Sequence, residues 1–462
     1  MTELTVYNGA HMTLSTQSYK GARDFYPEDK RLQNYMFSKM REVCESFGYE
    51  EYDSPILEPT DLFLAKGNQE IIDEQTYTFT DRGDRSVTIR TEMTPSVSRM
   101  VAGRRQELGY PVRWYSIPEL WRYERMQRGR LRQFWQLNAD IFGVEGVEAE
   151  HEMIVLADAI MKSYGAKPAM YSIRVNSREL TNYVFGTYLG LNTTQQETMI
   201  RLIDRMHKME GPSFMAQADA ILSPSQRESG MLDRMQSYLA TEKLNNLPEE
   251  CLQQPSVLKL IQLSELLDIS GVTNVQFDTT LMRGFDYYTD VVFEVFDLNP
   301  DNNRSMFGGG RYDGLVGLFG VEPVPTVGFG MGDVTLQNFL EEHSLVPHLA
   351  PEIDVCAVLI GESTYVKSLT AVAHLRGMGI RVAVDATGRK IEKCLKSAAK
   401  KGIEHVLFIG ETELASEQFK LKNIITGNEE THGLERIVSI LADHRRKPSI
   451  PDATQTDVDD DL

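Results

Sequence analysis

Two stretches with strand character enclose an arginine-rich loop, and this arrangement constrains the fold more than any other feature of the sequence. The stretches are PVRWYSIPELW at 111–121 and QFWQLNADIFG at 133–143. Between them, RYERMQRGRLR places five arginines within eleven residues. Two apolar strand patterns joined by a short polar loop that contains glycine are typical of an antiparallel hairpin. The sequence therefore predicts a hairpin with a positively charged tip, in a mostly antiparallel sheet.

The charge of this loop contrasts with the formal net charge of the chain, which is −19. A hairpin has little structural reason to concentrate like charges at its tip. Guanidinium groups are planar and permanently charged, and they donate two parallel hydrogen bonds to phosphate oxygens. We therefore predict a ligand that carries phosphate. On charge alone, a solvated face with surface ion pairs remains the alternative.

Composition excludes several other classes of protein. The chain has 462 residues, of which 41% are hydrophobic and 25% are charged, so it can bury a sizeable core and divide into several domains. It contains no apolar run of the roughly 18 residues that a membrane span requires, and its N-terminus does not resemble a signal peptide. We expect a cytoplasmic protein that binds neither membrane nor DNA. The histidines show no HExxH spacing, which argues against a zinc hydrolase.

Changes in hydrophobic pattern along the chain predict an α+β domain that is split by a helical insertion and followed by an α/β domain. A helix is expected from Pro27, a strand over YEEYDSPILE at 49–58 that Pro55 ends or places at an edge, a strand at 287–297 and tight turns over FGGGRYDG at 307–314. The predicted boundaries are an N-terminal extension at 1–17, the α+β domain at 18–174 and 281–343, the insertion at 175–280, a linker at 344–350, the α/β domain at 351–446 and a disordered acidic tail at 447–462.

A set of motifs in a fixed order resembles the histidyl-tRNA synthetases, a family of class II aminoacyl-tRNA synthetases. The motifs are KGARDFYPED at 20–29, TEMT at 91–94, RYERMQRGRLRQFWQLNADIFG at 122–143, RGFDYY at 283–288 and GGGRYDG at 308–314. The resemblance implies a class II catalytic sheet and a C-terminal anticodon-binding domain. It also implies that L-histidine is activated with ATP and Mg²⁺ and transferred to the 3′ end of tRNA(His), by a homodimer.

The resemblance assigns a role to individual residues. It implies catalytic roles for Arg122 and Arg283, and no side chain is assigned as a metal ligand. The residues implied in histidine binding are Glu92, Met93, Thr94, Gln136, Asp140, Arg283, Tyr287 and Tyr288. Those implied in ATP binding are Arg122, Glu124, Arg130, Arg132, Phe134 and Arg311. Those implied in tRNA binding are Arg125, Arg128, Arg389 and Lys390.

One motif departs from the family pattern. Class II synthetases end their third signature with a glycine run followed by Glu-Arg, whereas this chain has GFGMGDVTL, with Val334 and Thr335 at those places. The arginine expected on the γ-phosphate is absent, and Arg130, Arg132 or Arg311 could replace it.

A non-catalytic function is a second hypothesis, because the regulatory subunit of ATP phosphoribosyltransferase resembles the same catalytic domain. That protein lacks the C-terminal α/β domain, which residues 350–445 of this chain resemble. The C-terminal domain therefore discriminates between the two hypotheses.

Overall fold

The computed structural model describes residues 14–64, 75–206, 209–282, 287–302, 304–361 and 364–446. The chain divides into two compact units, Met1–Asp24 with Gln33–Leu345, and Phe25–Leu32 with Val346–Leu462. Among the described helices, none combines the length and the apolar character that crossing a bilayer would need.

The strands up to residue 345 form two sheets. They are β1 Glu50–Glu51, β2 Leu57–Pro59, β3 Tyr77–Thr80, β4 Ser86–Ile89, β5 Val112–Ser116, β6 Glu119–Trp121, β7 Gln133–Phe142, β8 Tyr171–Ser177, β9 Val275–Phe277, β10 Val291–Asp297, β11 Ser305–Arg311 and β12 Thr326–Gly332. The larger sheet has nine strands in the order β1-β5-β7-β12-β11-β10-β8-β9, with β6 paired to β7. Only its two outermost pairs, β1–β5 and β8–β9, are parallel. The mostly antiparallel sheet predicted from the sequence is therefore confirmed.

Helices cover this sheet and fill the insertion between β8 and β9. They are α1 Pro27–Ser46, α2 Thr60–Leu64, α3 Thr94–Gly103, α4 Glu148–Ser163, α5 Arg178–Tyr183, α6 Thr193–Ile203, α7 Gly211–Ile221, α8 Pro224–Glu228, α9 Met231–Leu239, α10 Glu249–Leu252, α11 Pro255–Ile269 and α12 Asp333–Glu342. The chain leaves the sheet at the end of β8 and returns to it in β9, which pairs with β8. The helical segment is therefore an insertion between two neighbouring strands at one edge of the sheet.

The expected single strand over 49–58 is wrong, because two short strands form there in different sheets. β1 pairs with β5 of the large sheet, whereas β2 pairs with β4 of a three-stranded sheet, β2-β4-β3. Pro55 lies between them, as expected for a residue that ends a strand, because a proline cannot donate the hydrogen bond that would continue a strand ladder. The strand expected at 287–297 also begins later than predicted, at Val291.

The tight turns expected over FGGGRYDG form only at its end, where Asp313 and Gly314 lie in a turn. Most of this stretch belongs to β11, in the middle of the sheet between β10 and β12. Glycine is required in this strand because a side chain would not fit, and not because the chain turns there. A Cβ atom on Gly309 would lie 2.1 Å from the carbonyl oxygen of Gly328 and 2.5 Å from Cβ of Phe329. Glycine in a strand interior often marks such a close approach.

The second unit contains a five-stranded sheet in the order β14-β13-β15-β16-β17. Its elements are β13 Val355–Leu359, α13 Thr364–Gly377, β14 Val382–Asp385, α14 Ile391–Lys400, β15 His405–Ile409, α15 Glu411–Ser416, β16 Phe419–Asn423, β17 Glu429–His432 and α16 Leu434–Arg446. The predicted parallel core is confirmed in β14, β13 and β15. The antiparallel strands β16 and β17 were not anticipated. Apolar residues of α13 and α16 pack in one buried cluster, and those of α14 pack in another.

Replacing Gly309 by alanine tests whether close strand approach explains the glycines of β11. We expect Gly309→Ala to lower the free energy of unfolding by about 2–3 kcal/mol, because the backbone oxygen of Gly328 cannot move away from an added methyl group. Gly103→Ala is the matched control, since Gly103 ends α3 and a Cβ there would meet no atom within 4 Å. Urea unfolding measures both variants, and equal midpoints would contradict the explanation.

Candidate active site

A cavity of about 290 Å³ opens on one face of the large sheet, in the first unit. Its floor consists of polar side chains from β7 and of glycines from the neighbouring strands. Successive side chains of a strand alternate between the two faces, so residues two apart share a face. The floor residues are Gln136, Asn138 and Asp140 of β7, Gly328, Gly330 and Gly332 of β12, and Gly308 of β11.

The glycines of β12 make room for the polar side chains of β7. Gly328 pairs with Asp140 across the sheet, and a Cβ on Gly328 would lie 2.0 Å from Oδ1 of Asp140. A Cβ on Gly330 would lie 1.6 Å from Nε2 of Gln136. Side chains on β12 would therefore collide with the groups that line the cavity. The alternation in GFGMG is the sequence signature of this floor.

Carboxyl groups and tyrosines line one end of the cavity. The hydroxyl of Tyr312 donates a hydrogen bond of 2.5 Å to Oδ1 of Asp140. The hydroxyl of Tyr287 lies 3.2 Å from Oε2 of Glu92, to which it donates. The ring of Tyr287 contacts those of Tyr288 and Tyr312, with centroids 5.0 and 5.6 Å apart. We call this the acidic end of the cavity.

Burial raises the pKa values of the carboxyl groups at the acidic end. Burial raises the pKa of Asp140 from 3.8 to about 7, although the hydrogen bond from Tyr312 opposes the increase. Burial also raises the pKa of Glu92, against the opposing effects of Arg122 and Tyr287. A cation, or a donor that hydrogen-bonds to the carboxylates, would favour their charged forms. The acidic end is therefore suited to a ligand with cationic or N–H donor groups.

Arginines from the hairpin also line the cavity, and we call their part of it the basic end, although Arg122 lies close enough to Glu92 to lower its pKa. Nε of Arg122 donates to the carbonyl of Thr91 at 2.9 Å, and its guanidinium lies 5.3 Å from the ring centroid of Phe134. The carboxylate of Glu124 lies 3.9 Å from Arg122 and 3.2 Å from Arg130. An aromatic face beside two guanidinium groups can accept a flat heterocycle next to an anion.

Most of the predicted ligand-binding residues meet in this cavity. They are Glu92, Thr94, Arg122, Glu124, Arg130, Phe134, Gln136, Asp140, Tyr287 and Tyr288. Arg283 lies outside the described residues. Met93 is fully buried at the start of α3 and does not line the cavity.

Two arginines predicted to bind ATP point elsewhere. Arg311 is buried, and its Nε and one Nη donate to the two carboxylate oxygens of Glu150 at 2.7 and 2.6 Å. It also donates to the backbone carbonyls of Val144 and Gly146. The guanidinium of Arg132 packs on the ring of Tyr123, at 3.8 Å from its centroid. Neither arginine lines the cavity, because both guanidinium groups serve to hold the surrounding structure.

The residues predicted to bind tRNA lie in both units. Arg125 is exposed in the hairpin, and Arg128 forms an ion pair with Glu342. In the second unit, Arg389 pairs with Asp385 at 2.7 Å, and Lys390 is exposed immediately before α14.

The cavity also contains residues that the sequence did not identify, and three of them are polar or charged side chains next to the predicted ones. Tyr312 holds Asp140, and Asn138 and Glu294 also line the walls. Asn138 was detectable in principle, because it shares its strand face with Gln136 and Asp140. Tyr312 and Glu294 could not be placed, since their position depends on how β10 and β11 pair with the rest of the sheet.

A mostly antiparallel sheet with an arginine hairpin over one face and helices behind it defines the catalytic domain of a class II aminoacyl-tRNA synthetase. The family model for histidyl-tRNA synthetase matches residues 21–334, and that for an anticodon-binding domain matches residues 354–444. The chain belongs to the histidyl-tRNA synthetase family.

Known proteins agree with this assignment. The chain is 39% identical to the histidine–tRNA ligase of Leptospira biflexa over 437 residues, which are 94% of this chain and 99% of that protein. Its fold is similar to the histidyl-tRNA synthetase of a Nostoc species, with a TM-score of 0.78, 23% identity and coverage of 94% and 100% of the two chains. The apo histidyl-tRNA synthetase of S. aureus aligns with a TM-score of 0.67 and 27% identity, covering 92% and 100%.

The raised pKa of Asp140 predicts a pH-dependent difference between the protein and its Asp140→Asn variant. The unfolded carboxyl ionises near pH 3.8 and the folded one near pH 7, so the stability that protonation contributes is lost as pH rises between these values. From pH 5 to pH 8, the protein should lose roughly 2–3 kcal/mol of unfolding free energy relative to Asp140→Asn, which cannot ionise. Urea unfolding of both proteins across this range, without ligands, measures the difference. Parallel pH profiles would contradict the proposed burial of the carboxylate.

Proposed function

We propose that this chain is an active histidine–tRNA ligase, in which the acidic end of the cavity binds histidine and the basic end binds ATP. The observation that carries the proposal is the opposition of charge within one cavity. Buried carboxyl groups and hairpin guanidinium groups line the same cavity. An amino acid with a basic side chain and a nucleotide polyphosphate are complementary to these two ends.

At the acidic end, the imidazole of histidine would lie near Asp140, Tyr287 and Tyr288. Imidazole has two ring nitrogens, and an unpaired buried donor or acceptor costs about 1–3 kcal/mol. Asp140 is positioned by Tyr312 to accept a ring N–H. Glu92, Thr94 and Gln136 would then hold the α-ammonium and carboxylate groups, since all three line the same cavity.

At the basic end, the adenine ring would stack on Phe134 and the α-phosphate would lie against Arg122. Glu124 is held between Arg122 and Arg130, and Glu294 lines the same cavity, so oxygen donors suited to Mg²⁺ are present beside the phosphate-binding arginines. Mg²⁺ bound with ATP would neutralise phosphate charge. The role of Glu124 would be to orient both arginines as well as to contribute oxygen atoms.

The chemistry follows from bringing the two substrates together. A carboxylate oxygen of histidine attacks the α-phosphorus, the bond to the bridging oxygen breaks, and pyrophosphate leaves. Arg122 stabilises the negative charge on the α-phosphate oxygens, and by resemblance Arg283 does so from the other side. A terminal ribose hydroxyl of tRNA(His) then attacks the carbonyl carbon, releasing AMP and a proton.

Arg130 is the best candidate for the arginine that the third signature lacks. Thr335 occupies the place of that arginine and lines the cavity. The hairpin approaches Thr335 closely, since a Cβ on Gly129 would lie 3.4 Å from its Cγ2. Arg130, the next residue, lines the same cavity, with a side chain that is 55% exposed and able to reorient. The hairpin would thus supply the charge that α12 does not.

The remaining functional expectations rest on the family. tRNA(His) would contact Arg125 and Arg128 of the hairpin and, in the second unit, Arg389 and Lys390. A homodimer in the cytoplasm and a requirement for Mg²⁺ are expected by resemblance. The match of residues 354–444 to an anticodon-binding domain favours a ligase over a regulatory subunit, because it supplies the domain that separates the two hypotheses.

Histidine-dependent exchange of labelled pyrophosphate into ATP tests the proposed activity. We expect exchange with histidine and none with the other standard amino acids, because Asp140 and the tyrosines select an imidazole. Direct measurement of histidine binding is the necessary companion. Histidine binding without exchange would support the regulatory function instead, and absence of both would overturn the assignment of the cavity.

Arg130→Ala tests the compensating arginine. Loss of a charge-assisted hydrogen bond of about 1.5–3 kcal/mol should raise KM for ATP at least about tenfold in the exchange reaction, with KM for histidine nearly unchanged. Arg105→Ala is the matched control, since Arg105 is a half-buried arginine of the same unit that does not line the cavity and donates to the carbonyl of Glu322. If Arg130→Ala and Arg105→Ala behave alike, another group binds the outer phosphates.

A further inference from the structure

Two histidines and a glutamate meet at one end of the C-terminal sheet, within the second unit. Glu404 precedes β15, His405 is its first residue, and His444 lies in the last turns of α16. One potential ligand atom of each residue lies within 4.8 Å of those of the other two. We call these residues the His-Glu cluster. Within the part of the chain that the structure describes, no other group of three such side chains meets this condition.

The contacts inside the His-Glu cluster are short. Nε2 of His444 lies 2.6 Å from Oε2 of Glu404, and the rings of His405 and His444 have centroids 4.7 Å apart. Tetrahedral zinc with bonds of about 2.0–2.1 Å separates its nitrogen and oxygen ligands by roughly 3.3 Å. Small side-chain rotations would bring the three atoms to that spacing. The side chains of His444 and Glu404 can make such rotations because they are 50% and 22% exposed.

We propose that the His-Glu cluster is a zinc site, with Glu404, His405 and His444 as protein ligands and a fourth position open to water. Two imidazoles and one carboxylate form a ligand set that zinc uses in proteins. Neutral imidazole is the form that binds metal.

Other histidine–glutamate pairs of the same unit show why the third ligand matters. His374 pairs with Glu435 at 3.0 Å, and His432 pairs with Glu430 at 2.8 Å. Each of these pairs brings one imidazole to one carboxylate at the surface. Such pairs are ordinary surface ion pairs, which contribute little. The His-Glu cluster differs because a second imidazole, that of the buried His405, joins the pair.

Zinc at this position would tie α16 to the start of β15. α16 is the last described element of the chain, and apolar side chains such as Ile437 and Leu441 attach it to the sheet. Because metal binding by the folded protein alone adds to the free energy of folding, zinc should raise the thermal stability of the protein. The proposed zinc site lies in the second unit, whereas the cavity proposed for histidine activation lies in the first unit.

Metal titration of the full-length protein tests the proposal. The protein is stripped with EDTA and gel-filtered, then titrated with Zn²⁺ against a chromophoric chelator, and with Co²⁺ while the visible spectrum is recorded. We expect one zinc per chain with high affinity, a Co²⁺ spectrum typical of four ligands, and a higher melting temperature with zinc. His444→Ala and Glu404→Gln should each weaken zinc binding more than about tenfold.

His374→Ala is the matched control, because it removes an exposed histidine that also pairs with a glutamate. It should bind zinc as the unaltered protein does. The proposal is overturned if the unaltered protein takes up no zinc, or if His444→Ala and Glu404→Gln bind zinc as tightly as His374→Ala does. Binding is measured without ATP or tRNA, so the result does not depend on the proposed ligase activity.

Discussion

The close approach of glycine strands to a polar strand is the constraint on which the rest of the catalytic unit depends. Neighbouring strands lie about 4.8 Å apart, so side chains facing the same way on adjacent strands compete for one volume. β12 carries glycine opposite Asp140 and beside Gln136, at positions where any Cβ would collide with those side chains. The cavity exists because the middle of the sheet has almost no side chains on this face. Substrates can then lie directly on the backbone.

The lining of the cavity carries both signs of charge, and the proposed placement of histidine and ATP rests on this property. Asp140 and Glu92 are buried in a setting that raises the pKa of each carboxyl, so a cationic or N–H donor ligand stabilises their charged forms. Arg122 and Arg130 of the hairpin also line this cavity. A histidine and an ATP molecule placed in the opposite order would bring like charges together. The proposed placement of the two substrates therefore depends on the charges of the side chains that line the cavity.

A buried ion network supports the sheet behind this site. Glu150 on α4 forms an ion pair with Arg311 of β11 and lies 3.1 Å from Lys259 of the inserted segment. Lys259 also forms an ion pair with Asp290 at 2.6 Å. Removing one member of such a network leaves a buried charge without its partner, at a cost of about 3–5 kcal/mol. Arg311 thus belongs to the framework of the domain, although its motif suggested a place beside the phosphates. A motif arginine can position the site without touching the substrate.

The sequence by itself determined the antiparallel hairpin, the parallel core of the second unit and, through motifs that resemble those of the family, most of the side chains that meet in the cavity. Each is encoded locally, in hydrophobic periodicity or in a short motif such as TEMT. Only the tertiary structure decided that FGGGRYDG is a central strand, that Tyr312 holds Asp140, and that Arg130 rather than Arg311 lines the cavity. These facts depend on strand pairing between distant segments. The reason is that a local pattern specifies which face a side chain occupies, whereas packing against other strands specifies what that face meets.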